Sequence, residues 1–217
     1  MTTRHHYGEL IEELKYSVVK MANLVQEATG KATQAFSQRN DELAHQVIEE
    51  DRKIDEWERN IENQCATLIG TQQPVAGDLR LIMAALSISN DLERMGDYAA
   101  HLATVATKLS KNIVMKTREE ITGMTDISIS MIRDAAKAFL EQDAELADEV
   151  QKRDDQVDGL YAQFFQSLLS DMSEHRSHIQ EATAMLFCSK YLERLADHAT
   201  NICDEVIYVC TGRKTHV

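Results

Sequence analysis

Two pairs of acidic residues, one hundred positions apart, are the side chains in this 217-residue chain with the clearest potential for chemistry. Glu93 and Asp97 flank Arg-Met-Gly, and Glu193 and Asp197 flank Arg-Leu-Ala. On a helix, carboxylates four residues apart stand on one face, close enough to share a ligand. Their repulsion costs an isolated helix about 0.2–0.5 kcal/mol. A bound cation would remove that cost, so the repeated pattern suggests a metal site.

An internal repeat supplies a second acidic pair to each half of the chain. At an offset of 103 residues, Asp51 and Asp55 correspond to Asp154 and Asp158. The same offset pairs Phe36 with Phe139, Leu43 with Leu146, Ala44 with Ala147, Val47 with Val150 and Ile54 with Val157. From Leu92 and Leu192 onward the offset is 100, so the three-residue difference falls in the preceding loop. The two halves of the chain are therefore copies of one structural unit.

The elements that must position these residues are long helices. One proline and eight glycines, with few aromatic residues, favour an all-α protein. Apolar residues at helical spacing and capping signals predict six helices. The first three helices are predicted at Tyr7–Gln38, from Asn40 or Asp41 to Gly70, and from about Val75, just after Pro74, to Ser110. The fourth begins with a Thr117–Glu120 capping box, and the fifth is capped by Asp143. The sixth runs from a Ser177–Gln180 capping box to Gly212.

The duplication and the short loops predict two tandem, pseudo-symmetric three-helix bundles, residues 1–112 and 113–217. In an antiparallel hairpin whose turn lies near Thr71, Asp55 precedes the turn by about 16 residues and Glu93 follows it by about 22, which places the two pairs within about two helical turns of one level. The acidic pairs of neighbouring helices are thus expected to face each other.

Four facing carboxylates in each bundle form an all-oxygen site of the kind that hard cations prefer. The predicted metal ligands are Asp51, Asp55, Glu93 and Asp97 in the first bundle and Asp154, Asp158, Glu193 and Asp197 in the second. Iron, Mn, Mg, Ca and Zn are candidate ions. Solvated acidic faces, with Arg94 and Arg194 as partial charge partners, are the alternative. His101 and Asn201, one turn further on, are accessory ligands or polar surface.

Other function classes find less support. Glu42 and His45 form the E-x-x-H motif of di-iron bundles, but the repeat has Glu145 and Asp148 there, and that chemistry needs two such motifs. No glycine-rich phosphate loop or nucleophile elbow is present in the sequence, so we expect a protein that is not an enzyme. A metal-dependent hydrolase or oxidase built on the same carboxylates is the alternative.

Charge and hydropathy restrict the partners and the location. A net charge of −13 without a basic stripe argues against nucleic acid. No apolar run reaches about 18 residues, so we expect no membrane insertion and a cytoplasmic protein. The cysteines at positions 65, 188, 203 and 210 form no C-x-x-C motif and are predicted to be small buried residues.

Three stretches resemble one known family. They are Pro74 to Arg80 (PVAGDLR), Asp91 to Asp97 (DLERMGD) and Tyr191 to Ile202 (YLERLADHATNI). They are similar to the PhoU proteins, regulators of bacterial phosphate uptake, over nearly the entire chain. The most specific part is the twin E-R-x-x-D. Ala196 departs from the pattern, because the family commonly has glycine there, which puts the geometry of the second acidic site in question.

The resemblance implies two three-helix bundles, a homodimer, and multinuclear metal clusters held by the eight carboxylates named above. It also implies a regulator without catalysis. When phosphate is plentiful, such a protein couples the phosphate ABC transporter and its ATPase to a sensor histidine kinase, restrains transport and keeps the phosphate-starvation response off. Association with the membrane would then be peripheral, through these partners.

Overall fold

The computed structural model describes residues 3–109 and 119–213, and these ranges contain six α-helices, one 3₁₀ turn and no strand. The helices are α1 (Thr3–Gln38), α2 (Asp41–Gln72), α3 (Ala76–Thr107), α4 (Glu119–Glu141), α5 (Ala144–Glu174) and α6 (Ile179–Thr211), and the 3₁₀ turn η1 (Arg176–His178) joins α5 to α6. The all-α prediction with six long helices is confirmed. The predicted domain boundary at residue 112 and the Thr117 capping box lie outside the described residues.

The helices form two similar bundles of three. In each bundle the three helices pack against one another, and the bundles join where α1 and α3 meet α4 and α6. Buried apolar side chains from all six helices form one continuous core. Most paired apolar residues of the repeat, Val47 and Val150 for example, are buried in both halves, and Leu43 and Leu146 are partly buried in both. In the described part of the chain, the outer helices α2 and α5 pack substantially only against helices of their own bundle.

The turns before α2 and α5 repeat one capping device. Arg39 and Gln142 adopt positive φ values of 52° and 54°. The next residues, Asn40 and Asp143, then cap the following helices: the side chain of Asn40 accepts from the amide of Leu43, and that of Asp143 from two amides of the first turn of α5. Both predicted caps are therefore confirmed.

Several boundary predictions are wrong in detail. Helix α1 begins at Thr3 and not at Tyr7. Helix α2 continues past Gly70 to Gln72, because Gln73 (φ 49°) takes the left-handed conformation that ends it. Pro74 precedes Val75, the N-cap of α3, and so does not occupy the first helical position, and α3 ends at Thr107. Ser177 lies inside η1 and does not open a capping box, since His178 is the N-cap of α6 and makes no side-chain capping bond. Gly212 (φ 72°) ends α6 as predicted.

Two side-chain contacts fasten the bundles to each other. Arg39 reaches Glu181 on α6 with an Nη2–Oε1 distance of 3.0 Å, and both side chains are at most 13 % exposed. His198 Nδ1 on α6 lies 2.7 Å from Asp91 Oδ1 on α3, and the Asn201 amide donates to the same oxygen at 3.3 Å. Breaking a buried ion pair is costly, so the Arg39–Glu181 contact fastens the turn between α1 and α2 to α6. The contacts of His198 and Asn201 with Asp91 join α6 to α3.

Candidate metal centres

The two acidic pairs of the first bundle face each other across the packing of α2 against α3. Asp51 and Asp55 on α2 and Glu93 and Asp97 on α3 are all half-buried. Gly96 permits a close approach, because a Cβ built there would stand 3.1 Å from Asp51 Oδ1. The predicted juxtaposition of these four residues is confirmed, because Asp97 on α3 affects the pKa of Asp51 on α2, and Asp55 on α2 affects that of Glu93 on α3.

The electrostatics of the first site follow from that arrangement. Burial, followed by the charges of Asp55 and Asp97, raises the pKa of Asp51 to about 6. Burial and then Asp97 raise the pKa of Glu93 as well. Desolvation and like charges both penalise an ionised carboxylate. Neutralisation of these carboxylates by a proton or a metal ion therefore lowers the free energy of the folded protein.

The second bundle repeats the arrangement with Asp154, Glu193 and Asp197 half-buried and Asp158 exposed. Burial, followed by Asp158 and Asp197, raises the pKa of Asp154 to about 6. Burial and then Glu193 raise the pKa of Asp197. Asp154 Oδ1 is fully shielded from solvent and has no hydrogen-bond partner among the described residues. An orphaned buried carboxylate oxygen is costly, and a cation bound there would satisfy it.

Ala196 does not force the second pair of helices apart. Ala196 and Val157 occupy the positions that Gly96 and Ile54 hold in the first bundle, and both are fully buried. The extra methyl group on α6 is offset by the smaller side chain on α5. Besides burial and Asp158, Asp197 and Glu193 on α6 both raise the pKa of Asp154 on α5, so the facing arrangement is present in the second bundle as well, despite Ala196.

The arginine of each E-R-x-x-D motif contacts the aspartate of that motif. Arg94 Nη1 lies 3.3 Å from Asp97 Oδ2, and Arg194 Nη1 lies 3.0 Å from Asp197 Oδ2. Both arginine side chains are about half exposed, at 56 % and 48 %. Ion pairs at such exposure are weak, so they offset only part of the repulsion inside each carboxylate set.

The two carboxylate sets differ at residues that were not predicted from the internal repeat. Glu58 on α2 extends the acidic face of the first site, and burial followed by Glu62 raises its pKa. The repeat places Tyr161 at that position. Lys190 on α6 lies over the Tyr161 ring, 5.2 Å from its centroid, and 2.6 Å from Glu193 Oε2. The first site thus carries one more carboxylate, and the second a lysine. Glu58 could have been predicted from the sequence, because Asp51, Asp55 and Glu58 are spaced along one face of a helix.

The two accessory candidates have different surroundings. His101 is exposed, but it lies near enough to Asp51 to affect the pKa of that carboxyl, and its ring centroid is 5.6 Å from that of Tyr191. Asn201 instead donates to Asp91 in the contact between the bundles. His101 therefore remains beside the first site, whereas the described hydrogen bond of Asn201 is directed at α3.

Of the other predicted residues, Cys65, Cys188 and Cys203 are buried as expected, but Cys210 is exposed, although its neighbour Val209 is buried in the core. His45, the histidine of the E-x-x-H motif, is exposed and contacts the carbonyl oxygen of Asp41 in its own helix. Among the described residues, no helix is long and apolar enough to cross a membrane.

Comparisons with known proteins agree with the duplicated architecture. A family model described as "PhoU domain" matches residues 18–106 and again residues 121–206. A phosphate-specific transport system accessory protein PhoU homolog of Clostridium acetobutylicum is 37 % identical over 213 residues, covering 98 % of this chain and 97 % of the relative. The homolog of Aquifex aeolicus is 42 % identical over 202 residues, covering 93 % and 91 %.

Solved structures give the same result. The crystal structure of the phosphate transport system regulatory protein PhoU from Streptococcus pneumoniae superposes with a TM-score of 0.91 at 31 % identity, covering 97 % of this chain and all of that chain. That of PhoU from Pseudomonas aeruginosa gives 0.90 at 32 % identity, covering 95 % and 100 %. With two matched domains, near-complete relatives and a shared fold, this chain belongs to the PhoU family.

Proposed function

We propose that this protein is a non-catalytic accessory regulator of phosphate uptake. It would couple the phosphate ABC transporter, through the transporter's ATPase, to a phosphate-sensing histidine kinase, and would keep the phosphate-starvation response off when phosphate is plentiful. Relatives that match nearly the whole chain bear the name of accessory proteins of phosphate-specific transport, and this supports the role. The observation that carries the proposal is the pair of facing carboxylate sets in a duplicated PhoU fold.

The proposed role contains no chemical step. The carboxylate sets would bind ions that fix the surfaces of α2, α3, α5 and α6, and partners would recognise those surfaces. The relatives reported above are named as accessory or regulatory proteins, which gives the hydrolase or oxidase alternative no support. We also propose a homodimer in the cytoplasm, held at the membrane only through its partners. Light scattering of the purified protein tests the dimer.

We further propose that each carboxylate set holds a metal cluster. The donors fit a hard cation, because they are carboxylate oxygens, and Asp154 Oδ1 is buried without a hydrogen-bond partner among the described residues. Burial and neighbouring carboxylates also raise the pKa of Asp51 and of Asp154. Asp51, Asp55, Glu93 and Asp97 would hold the first cluster, and Asp154, Asp158, Glu193 and Asp197 the second. The bound ions would supply positive charge that cancels the repulsion within each set.

The regulatory role is tested in the cell. Deleting the gene from its own bacterium should leave a phosphatase reporter of the phosphate-starvation response high in phosphate-rich medium, and the wild-type gene on a plasmid should restore repression. A plasmid carrying Glu56→Gln, which changes an exposed residue of α2 outside the facing set, should restore repression equally. Unchanged repression in the deletion strain would contradict the proposed role.

A further inference from the structure

Three potential metal ligands meet at the connection between α5 and α6, outside both carboxylate sets. They are Asp171 in the last turn of α5, His175 at its C-cap and His178 in η1. Their ligand atoms all lie within 4.8 Å of one another, a property that no other group of three such residues is found to have in the described part of the chain. This group therefore brings the harder carboxylate oxygens of Asp171 and the softer imidazole nitrogens of His175 and His178 together.

Both imidazole rings direct their Nδ1 atoms at the same carboxylate. Asp171 Oδ1 lies 3.3 Å from His175 Nδ1, and Asp171 Oδ2 lies 3.0 Å from His178 Nδ1. The two rings stack with their centroids 4.7 Å apart. Two protonated imidazoles at that separation would repel each other, whereas one divalent ion between the nitrogens and the carboxylate attracts all three groups.

The backbone holds these ligands in place. The amide of His175 donates to the carbonyl oxygen of Asp171 at 2.8 Å, and the amide of His178 donates to that of His175 at 3.0 Å. The C-terminal end of α5 also carries partial negative charge, which favours a cation. The site is open on one side, since the side chain of His175 is 52 % exposed while those of Asp171 and His178 are 19 % and 21 % exposed.

We propose that Asp171, His175 and His178 bind a borderline divalent transition-metal ion, represented by Zn²⁺, through one carboxylate oxygen and two imidazole nitrogens. This donor set suits zinc and leaves a fourth position for water. The ion fastens the end of α5 to η1 and so fixes the entry into α6. The proposal is independent of the proposed function, because it needs neither the carboxylate sets nor any partner.

The site is separate from the second carboxylate set and has no equivalent in the first bundle. Asp171 follows Asp158 by thirteen residues on α5, which corresponds to about 20 Å along the helix axis. At the offset of 103, the repeat has Leu68 and Gln72 in place of Asp171 and His175. A metal site here would therefore occur once in each chain, whereas the carboxylate set occurs twice.

The first test uses unmodified protein. Crystals soaked in Zn²⁺ are measured at the zinc absorption edge, where the proposal predicts an anomalous peak within about 2.3 Å of an Asp171 oxygen and of a nitrogen of each histidine. Absence of a peak at this position, in crystals whose carboxylate sets or solvent show that zinc has entered, would overturn the proposal.

The second test counts zinc ions. In a competition titration against a chromophoric chelator, the His175→Ala/His178→Ala variant should bind one equivalent of Zn²⁺ fewer than wild type. His45→Ala removes an exposed histidine elsewhere and should bind as wild type. Asp171→Asn should weaken the same equivalent at least about tenfold, and His178→Cys should retain it, because a thiolate also ligates zinc. Equal stoichiometry in the double variant and His45→Ala would refute the site.

Discussion

Ile54 on α2 occupies the space that a side chain on Gly96 of α3 would need: a Cβ built on Gly96 comes within 2.9 Å of Ile54 Cδ1. The second bundle solves the same packing problem with Val157 and Ala196, one methylene less on one helix and one methyl more on the other. The spacing of α2 and α3, and of α5 and α6, is thus set by complementary pairs. The facing carboxylates depend on this spacing.

Gly96→Ala should destabilise the protein by about 1–3 kcal/mol, because the new methyl group overpacks against Ile54. Adding Ile54→Val reproduces the pair found in the second bundle and should recover most of the loss. Urea denaturation of the two single variants and the double variant measures the coupling. Gly159→Ala is the control: nothing lies within 4 Å of its Cβ, and the helical preference of alanine should make that variant slightly more stable. Additive effects of the two changes would contradict complementary packing.

Asp51→Asn should stabilise the metal-free protein near pH 7.5. The folded-state pKa of Asp51 is raised to about 6, above the unfolded value of about 4, so the folded protein binds this proton more tightly. The stabilisation from protonated Asp51 is complete below about pH 4 and is lost as the pH rises through about 6. The amide avoids that loss, and we expect a gain of about 1 kcal/mol after solvent screening, or about 2–4 °C in melting temperature.

Calorimetry in the presence of a chelator checks this at pH 7.5 and at pH 4. The difference between Asp51→Asn and wild type should shrink toward zero at the lower pH, where wild-type Asp51 is protonated. Glu56→Gln, an exposed neighbour on the same helix, should change neither value appreciably. A variant less stable than wild type at pH 7.5 without metal would show that ionised Asp51 has a favourable partner.

Lys190→Met should strengthen cation binding at the second site, because it removes a positive charge 2.6 Å from Glu193 Oε2. Coulomb interaction at this range, screened by solvent, corresponds to about a tenfold change in affinity. The change is made together with Asp51→Asn and Asp55→Asn, so that the first set does not contribute. Electron paramagnetic resonance of free Mn²⁺ gives the affinity. Lys152→Met, whose exposed lysine pairs with Asp148, should leave it unchanged, and equal affinities for the two lysine variants would exclude this role for Lys190.

Much of the fold was predictable because the signals are local and occur twice. Asn40 and Asp143 cap helices at equivalent points of the repeat, and the acidic pairs at positions i and i+4 identify the faces of α2, α3, α5 and α6. Counting residues from a short turn was sufficient to place two carboxylate pairs within about two helical turns of one level. Periodicity and duplication therefore indicated the candidate sites before any contact was known.

What sequence reasoning missed depends on contacts between segments or on competition between alternatives. Ser177 and Gln180 satisfy the pattern of a capping box, but the turn after α5 places Asp171 against His175 and His178, and Ser177 falls within η1. The contact of Asp91 with His198 has no counterpart in the repeat, because it joins the two bundles instead of recurring within each. Periodicity carries no information on either contact.

The most direct test of the central claim is the number of Mn²⁺ ions bound at equilibrium, measured by electron paramagnetic resonance on four proteins. Wild type should bind ions in both bundles. Asp51→Asn/Asp55→Asn should lose those of the first bundle, Asp154→Asn/Asp158→Asn those of the second, and the combined variant should bind none with comparable affinity. Circular dichroism should show that all four proteins are equally helical. If the combined variant binds as many Mn²⁺ ions as wild type, the facing carboxylates are not metal centres.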